Sequence, residues 1–343
     1  MMVIERINRS GDIFLEVPEE EDCSEFLIAV DPGHFIGTPA RRTPQMPNVI
    51  EDDEGNLQLC WEGLTSDLAE GLARPSFETI TPDGIVTIVT EDGVVTPSDW
   101  NVSAERENPA FGIPGESQME RIQMREWEFN NAVATHLIEL LNNRGYSVLN
   151  VAPEDDPMMD VGSVSGNDNG VSNTIRVNRA NYNGSDASTF NTFGRAADFF
   201  FSIHANADGA AEINREVRLF TSAHGLETFH QPSNATTANS HETSLEYARI
   251  IHRHLINNGR EYGLVDRQRV GMRNPPGPQP HSGTFVLTGT TMPAVLIEAG
   301  FFTNFREAVL LMDETYRRRV AIYMFNAINE IYELWREEQE STE

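Results

Sequence analysis

The chain has 343 residues, 39% hydrophobic and 23% charged, which suits a folded protein with a real core and confines disorder to local stretches. Asp and Glu total 53 against 25 Lys and Arg, a formal net charge of −28, which argues against a nucleic-acid surface and against adhesion to anionic membranes. The two cysteines, Cys23 and Cys60, allow one disulfide but, scattered as they are, read more simply as free thiols; they lie outside any CxxC or Cys/His cluster, so a thiolate zinc site is not expected.

In chain order, residues 1–25 form an acidic extension. It has no basic start followed by an apolar run, so Sec export is not expected. No stretch of 18 apolar residues follows, so no membrane span is expected. FLIAVD (26–31) reads as a buried strand. Residues 36–120 are rich in Pro, Gly, Asp and Glu and read as an insertion, a lid, a docking element or a solvated loop. Within it, GIVTIVTEDGVVTP (84–97) predicts a small β-hairpin around Asp92-Gly93.

Residues 126–143 predict a helix, with Val133, Leu137, Leu140 and Leu141 on one face and Gly145 as its stop. The apolar runs YSVLNV (146–151), DFFFSIH (198–204), VRLFT (217–221), TFVL (284–287) and AVLIE (294–298) predict strands. Residues 243–257 and the long tail 305–337 predict helices, and 336–343 a polar end. Strands that are apolar throughout and alternate with helices predict an α/β fold: three layers, with a mixed, mostly parallel sheet of about six strands flanked by helices. The domain spans 26–335 with the insertion inside it.

Four segments deliver a polar residue from an apolar element. In AVDPGHF (29–35) a Pro-Gly turn ends the first strand and presents His34 at its carboxyl end, the edge where α/β sheets bind ligands. In FFFSIHANA (199–207) a second buried strand presents His204, flanked by Ser202 and Asn206. Either His alone is more simply a satisfied strand-end residue; the two together point to a shared metal. Glu126 and Glu128 both sit where a helix start favours acids. Only Glu126 shares the face of Asn130, Val133 and Leu137, and a carboxylate on a buried face needs a partner such as a cation. Glu128 and His136 read as surface residues. In PAVLIEAGFFTN (293–304) a strand ends in Glu298, whose partial burial would suit a general base. Two imidazoles and a carboxylate leave one open position on a tetrahedral zinc, the pattern of catalytic sites.

The series DPGH, a helix-start Glu, SIHAN and IEAGFFTN resembles the zinc-dependent N-acetylmuramoyl-L-alanine amidases of the amidase-3 type, across residues 26–335 apart from the insertion. The resemblance implies zinc held by His34, Glu126 and His204, with Glu298 as the catalytic base. It implies cleavage of the peptidoglycan amide between N-acetylmuramic acid and L-alanine of the stem peptide. Arg176, Arg179 and Asn181 in IRVNRAN match an RxxxAN region of that family. Arg176 and Arg179 read as helix residues paired with a nearby acid, or as substrate contacts. Asn206, Arg269 and His281 are further substrate-binding candidates, the last two in a Gly/Pro-rich loop at 267–283.

GHFIGTPARRTP (33–44) departs from the family's usual GHGG and is similar to amidases of phages and phage-like particles. That implies synthesis in the cytoplasm and action on the wall, after holin release or as part of a particle. The 36–120 insertion would then contact tail or injection-particle proteins. A zinc carboxypeptidase or endopeptidase of the stem peptide is the enzymatic alternative. A non-catalytic wall-binding or structural component of a particle is the other.

Overall fold

Among the described residues, six strands form the main sheet, and their burial explains their order. β1 (Leu27–Pro32) is buried at every position. β3 (Phe199–Asn206) and β6 (Ala294–Phe301) are nearly so, and they flank one another in the middle of the sheet. β2 (Ser147–Asn150) lies at one edge; β4 (Glu227–His230) and β5 (Gln279–Pro280) lie at the other. The spatial order is β5-β4-β6-β3-β1-β2. β2, β1, β3 and β6 run parallel, whereas β4 pairs antiparallel with β6 and carries β5 parallel to itself.

This computed structural model describes residues 22–34, 126–153, 168–183, 190–208, 223–233, 240–260, 264–266 and 277–342. It also describes strand segments at 4–7, 13–16, 48–51, 57–60, 76–77, 88–90, 93–95, 212–213 and 216–217.

Helices cover both faces. Successive residues of a strand point to opposite sides. Ile28, Val30, Phe199, Phe201, Ile203, Val295 and Ile297 face α1 (Glu126–Arg144), α3 (His241–Gly259) and α6 (Glu314–Thr342). Leu27, Ala29, Phe200, Ala294 and Leu296 face α2 (Asp168–Ala180) and α4 (Phe285–Gly289). Full burial of each Val, Leu, Ile or Phe among them contributes about 1.5–3 kcal/mol. The result is the three-layer α/β arrangement with a mixed sheet that the apolar runs predict. No helix among the described residues is long and apolar enough to cross a membrane.

Three expectations need correction or restriction. TFVL (284–287) is not a strand: Thr284 caps α4 and the other three residues lie in it, where the adjacent Val286 and Leu287 are buried in the same cluster. A strand would send them to opposite faces; a helix need not. The tail is two helices, α5 (Phe305–Met312) and α6, because Asp313 is extended and its Oδ1 accepts from Tyr316 N at 2.8 Å, as a cap does. α6 continues to Thr342, so the polar end is helical. Of VRLFT only Val217 is described, in a two-stranded pair (Glu212–Ile213 with Glu216–Val217) outside the main sheet; 218–221 lie outside the described residues. The main sheet instead takes β4, whose ETFH sequence lacks an apolar run.

Within residues 36–120, Ile88–Thr90 pairs antiparallel with Gly93–Val95, matching the expected hairpin, and Ser76–Phe77 adds a third strand. Asn48–Glu51 pairs with Leu57–Cys60, and Ile4–Ile7 with Ile13–Glu16. Cys23 is buried and forms no disulfide among the described residues.

Candidate metal centre

The topology creates the site. From β1 the chain passes to β2 on one side and then to β3 on the other, so the order switches between β1 and β3. Ligands in open α/β sheets bind at such a switch, outside the carboxyl ends of the strands. β1 runs into Gly33 and His34 there, and His204 lies near the end of β3. α1 precedes β2, which is parallel to β1, so a crossover helix in this place has its first turn beside the strand ends. Its first residue is Glu126.

These three side chains meet. His34 Nε2 lies 3.1 Å from Glu126 Oε2, and His204 Nδ1 lies 2.9 Å from Glu126 Oε1. Each residue offers a ligand atom within 4.8 Å of the others, and this is the group of metal-ligating side chains found among the described residues. The imidazole rings are 5.0 Å apart and nearly perpendicular. Glu126 is only 1% exposed. Burial acts most strongly on its carboxyl and opposes ionisation. The charge of His34 and hydrogen bonds with His204 and His34 outweigh it, holding the group well below the usual carboxylate range.

Backbone geometry tightens the cluster. His34 has φ 57°, an uncommon conformation for a residue with a Cβ, as functional sites often hold. A Cβ on Gly33 would lie 2.2 Å from the His204 ring, so only glycine lets β1 approach that imidazole. Gly33 N donates to Ile203 O at 2.9 Å, and Asn130 Nδ2 donates to Gly33 O at 2.8 Å. Asn130 lies one turn along α1 from Glu126, on the same buried face.

Arg176 fastens the same turn from the other layer. Its guanidinium pairs with Asp31 and donates to Pro32 O at 2.6 Å and to His34 O at 2.5 Å. Asp31 Oδ2 also accepts from Ser202 Oγ at 2.7 Å. Arg176 is thus spent on positioning the His34 turn. Replacing it with Met leaves Asp31 buried without this guanidinium. Arg176→Met is expected to lower unfolding stability by about 3–5 kcal/mol, measured by urea denaturation.

The other candidates lie elsewhere or do other work. Arg179 is buried, donates to Val151 O at 2.9 Å and stacks on Phe190. Asn181 donates to Gly289 O at 2.9 Å and accepts from Thr291 N, tying α2 to α4. His281 packs on Phe229 with ring centroids 4.8 Å apart, and burial lowers its pKa. Arg269 lies outside the described residues. Glu128 and His136 are half-buried and outside the cluster.

Glu298 on β6 is the register partner of His204 on β3. Asn206 is next to a bulge in that pairing, since it partners Phe301. Its Nδ2 donates to Glu227 Oε2, and its Oδ1 accepts from Ala207 N at 2.7 Å. Glu227, which pairs with Asn206 and stands opposite Glu298, is a residue that sequence reasoning misses. Its signal is an acid within the run LETF, too short to stand out. Asn130 and Gly33 are also unrecognised as supports, because the contacts that give them their roles join residues far apart in the chain.

The donor set fits a divalent cation. Two imidazole nitrogens and a carboxylate in a tetrahedral zinc site would be roughly 3.3 Å apart, given metal–ligand bonds of about 2.0–2.1 Å. One donor atom from each residue lies within 4.8 Å of the others, near enough to close on a shared ion, whereas the 2.9 and 3.1 Å contacts are ion pairs made by two different Glu126 oxygens.

Fold and site together define an α/β protein with a buried His/Glu/His cluster at its topological switch point. The family model for N-acetylmuramoyl-L-alanine amidases of the amidase-3 type matches residues 108–330, more than half of the chain. The chain belongs to that family and is a peptidoglycan amidase. The match begins after β1, so His34 comes from outside it and is brought to the cluster by the pairing of β1 with β3 and by contacts from α1 and α2. No curated protein matches the chain. The amidase Ami1 from Mycobacterium smegmatis is similar at 14% identity and TM-score 0.47, over 91% of this chain and 99% of that one. The CwlD amidase from Clostridioides difficile, solved with the GerS lipoprotein, is similar at 22% identity and TM-score 0.44, over 67% and 96%. The catalytic domain of an endolysin targeting Clostridia difficile is similar at 17% identity and TM-score 0.38, over 60% and 84%.

Proposed function

We propose that His34, Glu126 and His204 hold zinc, and that Glu298 is the general base for hydrolysis of the amide between N-acetylmuramic acid and L-alanine. The observation that carries this reading is the convergence of the three donors beside the register pair of His204 with Glu298. Zinc supplies Lewis-acid chemistry, acidifying water and polarising a carbonyl.

The chain's own residues do the remaining work. Glu126 supplies the negative charge that would balance a cation held between it and the two imidazoles beside it. Gly33, Asn130 and Arg176 keep His34 in place. Glu298 accepts a proton as water attacks the scissile carbonyl. It returns that proton to the nitrogen as the C–N bond breaks, freeing the lactyl carboxylate and the L-alanine amine. The proposed setting is the wall, reached after holin release or with a phage-like particle. Detection of the chain in purified particles tests the second route.

The test is zymography on purified cell wall with fragment identification. Zinc removal is expected to abolish lysis and zinc return to restore it, with new L-alanine amino termini and no cut within the stem peptide. Undiminished lysis by the zinc-free protein rejects the metal. Cuts within the stem peptide reject the bond assignment and favour an endopeptidase.

A further inference from the structure

Glu227 stands directly opposite Glu298 in the antiparallel pairing of β4 with β6. Glu298 in turn partners His204 on β3. His204, Glu298 and Glu227 therefore form one row across three neighbouring strands. Partners across adjacent strands share a face, and like charges directly opposite each other weaken a sheet. A fold that needed only stability would not favour two carboxylates there.

Glu227 is 7% exposed, and Asn206 holds it. The Asn206 amide is itself fixed at both ends, by Glu227 and by Ala207 N. Just beyond Glu298, β6 carries an extra residue relative to β3: His204 partners Glu298, but Asn206 partners Phe301. Gly300, with φ 145°, lies within that bulge. Bulges next to active sites re-aim the strand and the side chains near them.

We propose that Glu227 is a positioning residue for the proposed base. Its charge, pinned by Asn206, turns the Glu298 carboxylate away from β4 and toward His204. This rests on the reading of Glu298 as the base. Glu227 acts through Glu298 and touches no reacting atom.

The experiment compares Glu227→Gln and Glu227→Asp in the zinc-loaded full chain acting on a defined muropeptide. Gln keeps the size and an acceptor for Asn206 but removes the charge; Asp keeps the charge and shortens the arm. Glu227→Gln is expected to lower kcat by roughly ten- to a hundredfold, the scale on which misplaced reacting groups cost rate. KM, zinc content and urea midpoint should stay at wild-type values, and Glu227→Asp should retain more of kcat than Glu227→Gln. A merely structural Glu227 gives the reverse order, because Gln preserves the contact that Asp shortens. Wild-type kcat in Glu227→Gln, that reverse order, or a kcat loss that tracks the urea midpoint overturns the inference and leaves the zinc and Glu298 reading standing. Full activity in Glu298→Gln overturns that reading, and the inference with it.

Discussion

Glu298→Gln is expected to bind zinc at the wild-type level and to lose about 10²–10⁴-fold in kcat, the usual contribution of a positioned acid–base group. Glu298 lies one strand from His204, outside the His34–Glu126–His204 cluster, so the donor set is intact in the variant. Gln matches Glu in size, so β6 keeps its place between β3 and β4. What is lost is the ability to take a proton. Zinc content by metal analysis and kcat on a defined muropeptide separate binding from chemistry. Wild-type kcat would reassign the base; loss of zinc would make Glu298 part of the metal site.

Glu126→Gln should act at the other step. Glu126 supplies both oxygens that face the imidazoles, and it sits buried at the first residue of α1. An amide presents one oxygen and no charge to a cation. Zinc affinity should fall by more than about 100-fold, since losing a supporting partner of a ligand alone costs 10–100-fold. Lysis should disappear at limiting zinc. Competition with a chromophoric chelator measures the affinity directly. Unchanged affinity would remove Glu126 from the ligand set.

Much of this architecture is legible in the amino-acid order because its central strands are apolar on both faces. Phe199, Phe200 and Phe201 are all buried, and such a run suits few positions other than the middle of a covered sheet. Glu126 is legible through helical phase, since it shares its stripe with Asn130, Val133 and Leu137, all of them buried. β4 is not legible, because Glu227, Thr228 and His230 are polar and buried through contacts that are distant in sequence. Thr228 meets His252 on α3, and Glu227 meets Asn206 on β3. TFVL misleads because four residues cannot distinguish a short helix from a strand. The support of His34 by Arg176 joins residues 142 positions apart, and no local pattern announces such a contact.

The placement of His34 has a consequence for the chain's modular limits. The first imidazole lies on one side of the 36–120 segment, and nearly everything that marks the family lies on the other. Closing a loop costs only about 0.6 kcal/mol more for each doubling of its length, so a long segment can sit between two ligands at little thermodynamic penalty. A fragment starting at residue 108 would retain the whole family signature yet possess half of the imidazole pair. With His34 a zinc ligand as proposed, recognition of the fold and competence for hydrolysis are separable in this molecule: the boundary of the lineage's fingerprint is not the boundary of the proposed reaction centre.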